Sequence, residues 1–270
     1  MSFDYEKAVW GRETASADFG HPTSIRFRNI LSITISLKNG GNVLEVGCGA
    51  GQFIRGLKKQ NPALNCYGSD ISSEAILSAK NKSDGVNYSL QIENKLPFED
   101  SFFDRVIILD VLEHTNYWKE ILSETKRVLK SGGEAYIFVP CEDHYFSIWK
   151  YLRALNVGRN LTNKYAGHIN YFNSVEILAE LDDLDFVYNK KYSEHILGQL
   201  VGIFAFFMMD YKSKKTKSND VVNNESFFNR GNQNLFVKFL KRLINTVIYF
   251  ESMVFAKIPS PNLHIFAKKR

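Results

Sequence analysis

Long apolar runs, a cysteine framework and a concentrated charge of one sign are all missing from this chain of 270 residues. No uninterrupted apolar stretch reaches the roughly eighteen residues that a bilayer-crossing helix needs, so a soluble or peripheral protein is expected. The three cysteines, Cys48, Cys66 and Cys141, are too scattered for a disulfide scaffold and lack metal-ligand spacing. They suit a reducing cytosol, and no metal site is expected from them. Met1 to Trp10 has neither the basic start nor the apolar stretch of a secretion signal. A net charge of +5 is mild; it favours an anionic membrane surface or an acidic substrate over nucleic acid, which would call for a concentrated basic face. A cytoplasmic protein, with membrane association left open, is the expectation. What remains is an ordinary globular composition, 44% apolar and 23% charged, long enough for one large domain with an insertion.

The most informative stretch is V-L-E-V-G-C-G-A-G, Val43 to Gly51, a short apolar strand running into alternating glycines and then the amphipathic Gln52 to Lys59. Such a turn lets backbone approach a ligand closely and aims free N–H groups at it. Asp70 closes a second apolar segment, Leu64 to Ser69, where an acid accepts hydrogen bonds from ribose hydroxyls. Together they indicate a nucleoside-bearing cofactor. The run is not the dinucleotide pattern G-x-G-x-x-G, and Gln52 and Phe53 stand where a phosphate-binding loop would carry lysine. Strands alternate with helices from Asn42 to Pro140, which predicts a parallel sheet covered on both faces. Strands are expected near 43–47, 65–69, 87–92, 105–110 and 134–139, and helices near 52–60, 72–82 and 117–130, the last ended by Gly132-Gly133.

The pattern E-x-G-x-G-x-G, with Glu45 two residues before Gly47, resembles motif I of the class I S-adenosylmethionine (SAM) dependent methyltransferases. Three further blocks follow in the right order: L-P-F-E-D-S-F-F-D from Leu96, V-I-I-L-D-V-L-E-H from Val106 and R-V-L-K-S-G-G-E-A-Y-I-F-V-P from Arg127. All are similar to segments of the broad family that includes ubiquinone and menaquinone methyltransferases and many small-molecule O-methyltransferases. The resemblance implies SAM as cofactor and an α/β fold: a doubly wound, mostly parallel, seven-stranded Rossmann-like sheet. Phe186 to Tyr192 would be strand six, Leu263 to Lys268 the antiparallel strand seven, and Ser174 the N-cap of the helix before strand six, with Leu178 and Leu181 on its buried face.

It further implies that the loop Gly47, Cys48, Gly49 and Gly51 wraps the methionine and sugar portions. Glu45 either braces that loop or reaches the methionine amine. Asp70 takes the ribose hydroxyls, and Ile71 either walls the adenine or joins the core. Glu93 or a backbone amide meets the adenine amino group, Asp110 reaches the methionine portion or caps the next turn, and Arg26 reaches the cofactor carboxylate. For deprotonating an acceptor, His114 is the leading base, with bracing of a loop as its other reading; His168, His144 and Tyr171 lie in segments expected to line the acceptor pocket.

The chain divides into an N-terminal helical arm over the cofactor (1–40), aided by Tyr5 and Trp10, the SAM-binding domain (41–193), a helical insertion or lid (194–260) and the closing strand (261–270). Roughly seventy residues between strands six and seven exceed an ordinary connection. Ile196 to Tyr211 and Leu235 to Lys257 are apolar, the latter with Lys238, Lys241 and Arg242 near its start, and Lys212 to Asn234 is polar and expected to be mobile. The two helices either pack over the core or form a homodimer interface, or they cap the substrate and touch a membrane through 196–211 and 235–257. Methyl transfer to a small-molecule or lipid-linked hydroxyl is the expected function. The rivals are a catalytically silent SAM-binding scaffold and a nicotinamide dehydrogenase, whose proton relay is not evident.

Overall fold

The computed structural model describes residues 4, 6, 9–37, 40–92, 94–216 and 234–270. Seven strands form one sheet: β1 Asn42–Val46, β2 Asn65–Asp70, β3 Asn87–Leu90, β4 Phe103–Leu109, β5 Leu129–Pro140, β6 Phe186–Ser193 and β7 Asn262–Lys269. Their order is β3-β2-β1-β4-β5-β7-β6, with β7 alone running antiparallel to its neighbours. Central strands such as V-L-E-V and V-I-I-L read as near-continuous apolar runs because helices cover both faces. Successive side chains then divide between two cores. Leu44, Val106, Ile108 and Ile137 join Leu122 and Ile177 on one face, while Val43, Ile107 and Tyr136 join Phe27 and Ile54 on the other.

The helices among the described residues are α1 Ser24–Thr34, α2 Gln52–Gln60, α3 Ser73–Lys80, α4 Trp118–Val128, α5 Ile148–Ala154, α6 Leu161–Ala166, α7 Ser174–Asp183, α8 Leu197–Thr216 and α9 Leu235–Val254. Ser72 caps α3, its hydroxyl accepting the Ala75 N–H at 3.1 Å. The cap of α7 is Asn173 rather than Ser174: its side chain accepts a backbone N–H while Glu176 reaches back to the Asn173 N–H, and this reciprocal box satisfies two end groups that Ser174 alone would leave. Gly132-Gly133 does not end a helix. β5 has already begun at Leu129, and its pairing with β4 passes from Phe103–Leu129 to Arg105–Glu134. The glycines serve this bulge, where Gly132 takes a φ of +73°.

The sheet order reverses between β1 and β4, and the crevice beyond their carboxyl ends is where open α/β sheets hold ligands. α1 packs near β4 and β5 on one side of that crevice. The insertion stands beside it: α9 lies against β6 and α8 against α6. Residues 217–233, most of the stretch expected to be mobile, lie outside the described residues, as do Tyr5 and Glu93.

Candidate active site

Between β1 and α2 the chain turns through Gly47, Gly49 and Gly51, all at positive φ. At Gly47 an added Cβ would collide with the Val111 methyl, and at Gly49, at φ +52°, it would meet the Trp10 carbonyl oxygen at 2.7 Å. The Asp70 carboxylate at the end of β2 faces this turn, accepting the Gly49 N–H at 2.7 Å and the Ser72 N–H at 2.9 Å. Burial raises its pKa from the ordinary value against those two donated bonds. Ile71, beside it, is 55% exposed; it belongs to the rim of the crevice and not to the core.

Glu45 is buried and accepts the Ile54 N–H at 2.8 Å. It thereby braces the first turn of α2, and burial pushes its carboxyl up to about 8. The Cys48 thiol is buried against Gly68 of β2 and its N–H donates to the Ser69 carbonyl, so its side chain belongs to the core. Arg26 and Asp110, expected to reach the cofactor separately, form an ion pair with each other. The Arg26 guanidinium also lies 5.0 Å over the Phe138 ring, and Asp110 holds a left-handed φ of +53° at the exit of β4.

Residues 9–15 run along the glycine turn, and the only helix described before residue 40 is α1. The Ala50 N–H donates to the Trp10 carbonyl at 2.8 Å. The Arg55 guanidinium gathers four carbonyls, those of Ala50, Gly11, Arg12 and Glu13, at 2.7 to 3.1 Å. Glu6 accepts the Ser73 and Glu74 N–H groups, each at 3.0 Å, at the start of α3.

A second group of side chains sits at the carboxyl ends of β4 and β5. Val111 leads into a single 3-10 turn, Leu112–His114. The segment 167–170 is zipped onto that turn: the Ile169 and Asn170 N–H groups donate to the Glu113 carbonyl at 2.9 and 3.0 Å, and the Asn170 amide donates to the Leu112 and Thr115 carbonyls at 3.0 and 2.6 Å. This brings the His114 and His168 rings to 5.0 Å, edge to face. His114 Nε2 lies 3.6 Å from Glu113 Oε1, and His168 Nδ1 lies 2.6 Å from Glu142 Oε1.

Burial drives His114 down to about 3, helped by His168, which leaves the expected base a feeble proton acceptor. His168 is also desolvated, but the Glu142 carboxylate outweighs this and holds it above its ordinary value. Burial pushes Glu113 up to about 8. His144 is turned to local structure, its Nδ1 accepting the Phe146 N–H at 3.2 Å, and Tyr171 lies 4.3 Å beneath the Arg153 guanidinium. Glu142, which sequence reasoning missed, carried no spacing signal; Glu113 was visible only as the neighbour of His114.

A glycine-cradled crevice at the switch point of such a sheet defines a Rossmann-like cofactor-binding domain. Residues 44–137 match the family model described as "Methyltransferase domain". An uncharacterized protein of Methanocaldococcus jannaschii, MJ1123, is 30% identical over 146 residues, covering 54% of this chain and 64% of that protein. The ubiquinone/menaquinone biosynthesis C-methyltransferase UbiE of Desulfotalea psychrophila is 26% identical over 170 residues, 58% of this chain and 69% of UbiE. The crystal structure of the cyclase SpnF has a TM-score of 0.57 at 16% identity, over 99% of this chain and 85% of that one, a likeness of fold alone. Residues 44–137 thus carry a methyltransferase domain of the SAM-dependent class I kind. Its residues fit that cofactor: the cradle at Gly47 to Gly51 is one that an added Cβ would fill, and the Asp70 carboxylate faces it from the end of β2.

Proposed function

We propose that the protein transfers the methyl group of SAM to a hydroxyl of a small-molecule or lipid-linked acceptor. The observation that carries this reading is the Asp70 carboxylate poised on the Gly49 N–H beside a glycine cradle at the sheet's switch point. When bound, SAM supplies an electrophilic methyl on sulfur, and the protein's task is chiefly positioning, which can contribute up to roughly 7–11 kcal/mol. Asp70 holds the ribose hydroxyls and Ile71 lies along the adenine. Arg26 suits the methionine carboxylate because its planar fork bonds two oxygens at once, and Asp110 keeps that fork oriented. Glu113, His114 and His168, with His168 held by Glu142, stand at the carboxyl end of β4 where they would line the acceptor's side of the crevice.

A lipid-linked acceptor is favoured by the insertion. Leu200, Phe204, Phe207 and Tyr211 form an exposed stripe on α8, and Phe236, Phe239, Leu243, Val247, Phe250 and Val254 form another on α9. Lys238, Lys241 and Arg242 border the second, a combination suited to an anionic lipid interface. No described helix is long and apolar enough to cross a membrane.

The test supplies radiolabelled SAM and the purified protein to separated lipid and aqueous extracts. Label transferred into the lipid fraction supports the reading. Label confined to the aqueous fraction overturns its lipid-linked part, and SAM binding by calorimetry without transfer to either fraction puts a silent SAM-binding scaffold in its place.

A further inference from the structure

The group at the carboxyl ends of β4 and β5 has a property that proton transfer alone does not require. Glu113 is fully buried, and neither of its carboxylate oxygens has a hydrogen-bond partner. A carboxyl group removed from water with both oxygens unpaired is costly, and proteins offset that with a hydrogen bond, a counter-charge or a metal ion. Around it the structure offers two imidazoles, and one ligand atom from each of Glu113, His114 and His168 lies within 4.8 Å of the other two. Donors bound to one ion at about 2.0–2.2 Å lie somewhat closer than this, a distance that side-chain rotation can close.

The surroundings are those of a metal site as well. Glu142 takes the Nδ1 side of His168 and so turns its Nε2 toward the group; metal-binding histidines characteristically give their other nitrogen to a carboxylate. Glu142 is itself fixed by Arg153 at 2.5 Å and by the Thr162 hydroxyl at 3.2 Å. His114 is hydrogen-bonded to the Gly167 backbone, and the backbone zipper of 112–115 with 167–170 sets the separation of the two imidazoles. The cluster is thus held in place by groups outside the three candidate ligands.

We propose that Glu113, His114 and His168 bind one divalent transition-metal ion, with Glu142 orienting His168. Two imidazoles and one carboxylate suit zinc, cobalt, manganese or ferrous iron over calcium or magnesium, which prefer oxygen donors. Three protein ligands leave a coordination position open, as catalytic sites do. On the methyl-transfer reading proposed above, that position receives the acceptor hydroxyl, whose proton is then released more easily because the ion stabilises the alkoxide. The ion's binding stands apart from that reading and is tested apart from it.

The experiment uses the full chain, stripped with a chelator and titrated with cobalt(II) chloride, then with zinc chloride in competition. The expected result is one ion per chain, visible absorption bands of cobalt in a mixed nitrogen and oxygen environment, and their loss on adding zinc. Glu113→Gln and His168→Asn should abolish the bands, and Glu142→Gln should weaken binding about 10–100-fold, all with SAM affinity by calorimetry unchanged. Thermal melting checks that the variants fold, and Glu142→Gln serves should Glu113→Gln not. A stripped protein that binds SAM but takes up no cobalt or zinc overturns the proposal, as does uptake that persists undiminished in folded Glu113→Gln and His168→Asn. Metal binding without methyl transfer would leave the site standing and remove the proposed reaction.

Discussion

On the proposed reading, cofactor recognition turns on Asp70, whose carboxylate holds two backbone N–H groups of the crevice wall. Asp70→Asn keeps the shape but gives up the charge. Hydrogen bonds to charged groups contribute about 1.5–3 kcal/mol, so SAM affinity should fall about 10–100-fold by calorimetry; unchanged affinity would remove Asp70 from the site. Gly49→Ala should lose binding altogether, since a Cβ there both requires φ +52° and meets the Trp10 carbonyl at 2.7 Å. The same contact predicts that the loss is accompanied by loosening of residues 9–15, measurable as faster amide exchange at Ala50, whose N–H donates to that carbonyl.

At the scale of elements, α7 and α9 depend on different forces. Asn173→Ala removes a reciprocal cap and should cost about 1 kcal/mol in denaturant unfolding, with little effect on SAM binding. In α9 the buried positions are few, Ile248, Tyr249 and Ser252, whereas Phe239 and Leu243 are 64% and 48% exposed. Replacing both by Glu should therefore leave the melting temperature nearly unchanged. Co-sedimentation with vesicles containing anionic lipid should drop several-fold; if it does not, the exposed stripe serves some other contact.

Across the whole molecule, stability should fall as pH rises through the near-neutral range. Burial pushes Glu45 from 4.5 up to about 8, so in that interval the folded chain keeps a proton that the unfolded chain gives up, and the loss levels off above the interval. Glu45→Gln should flatten part of the slope in thermal unfolding followed from pH 5 to 8, on the order of 1–3 kcal/mol; an unaltered slope would mean that Glu45 is ionised in the folded state. Much of this architecture could be read from the chain, because local patterning dictates it. V-L-E-V and V-I-I-L announce buried strands, and E-x-G-x-G-x-G announces the turn between strand and helix. What could not be read was made by distant segments meeting. Glu113 and His114 meet His168 and Glu142 only when the 167–170 strip is zipped onto the 3-10 turn, and the pairing of Arg26 with Asp110 joins α1 to β4. Gly132 misled because a glycine at positive φ serves a strand bulge as readily as a helix end.

The placement of β7 between β5 and β6 has a kinetic consequence. Leu263 and Ile265 pair with Val139 and Ile137 on one side and with Tyr192 and Lys190 on the other, so β6 has no neighbour in the sheet until β7 arrives. During synthesis, β5 and β6 must wait through more than the whole insertion with open edges, the condition under which strands pair wrongly between chains. Ribosome-bound chains halted within α9 should therefore aggregate on release, while those extended past Lys269 should not.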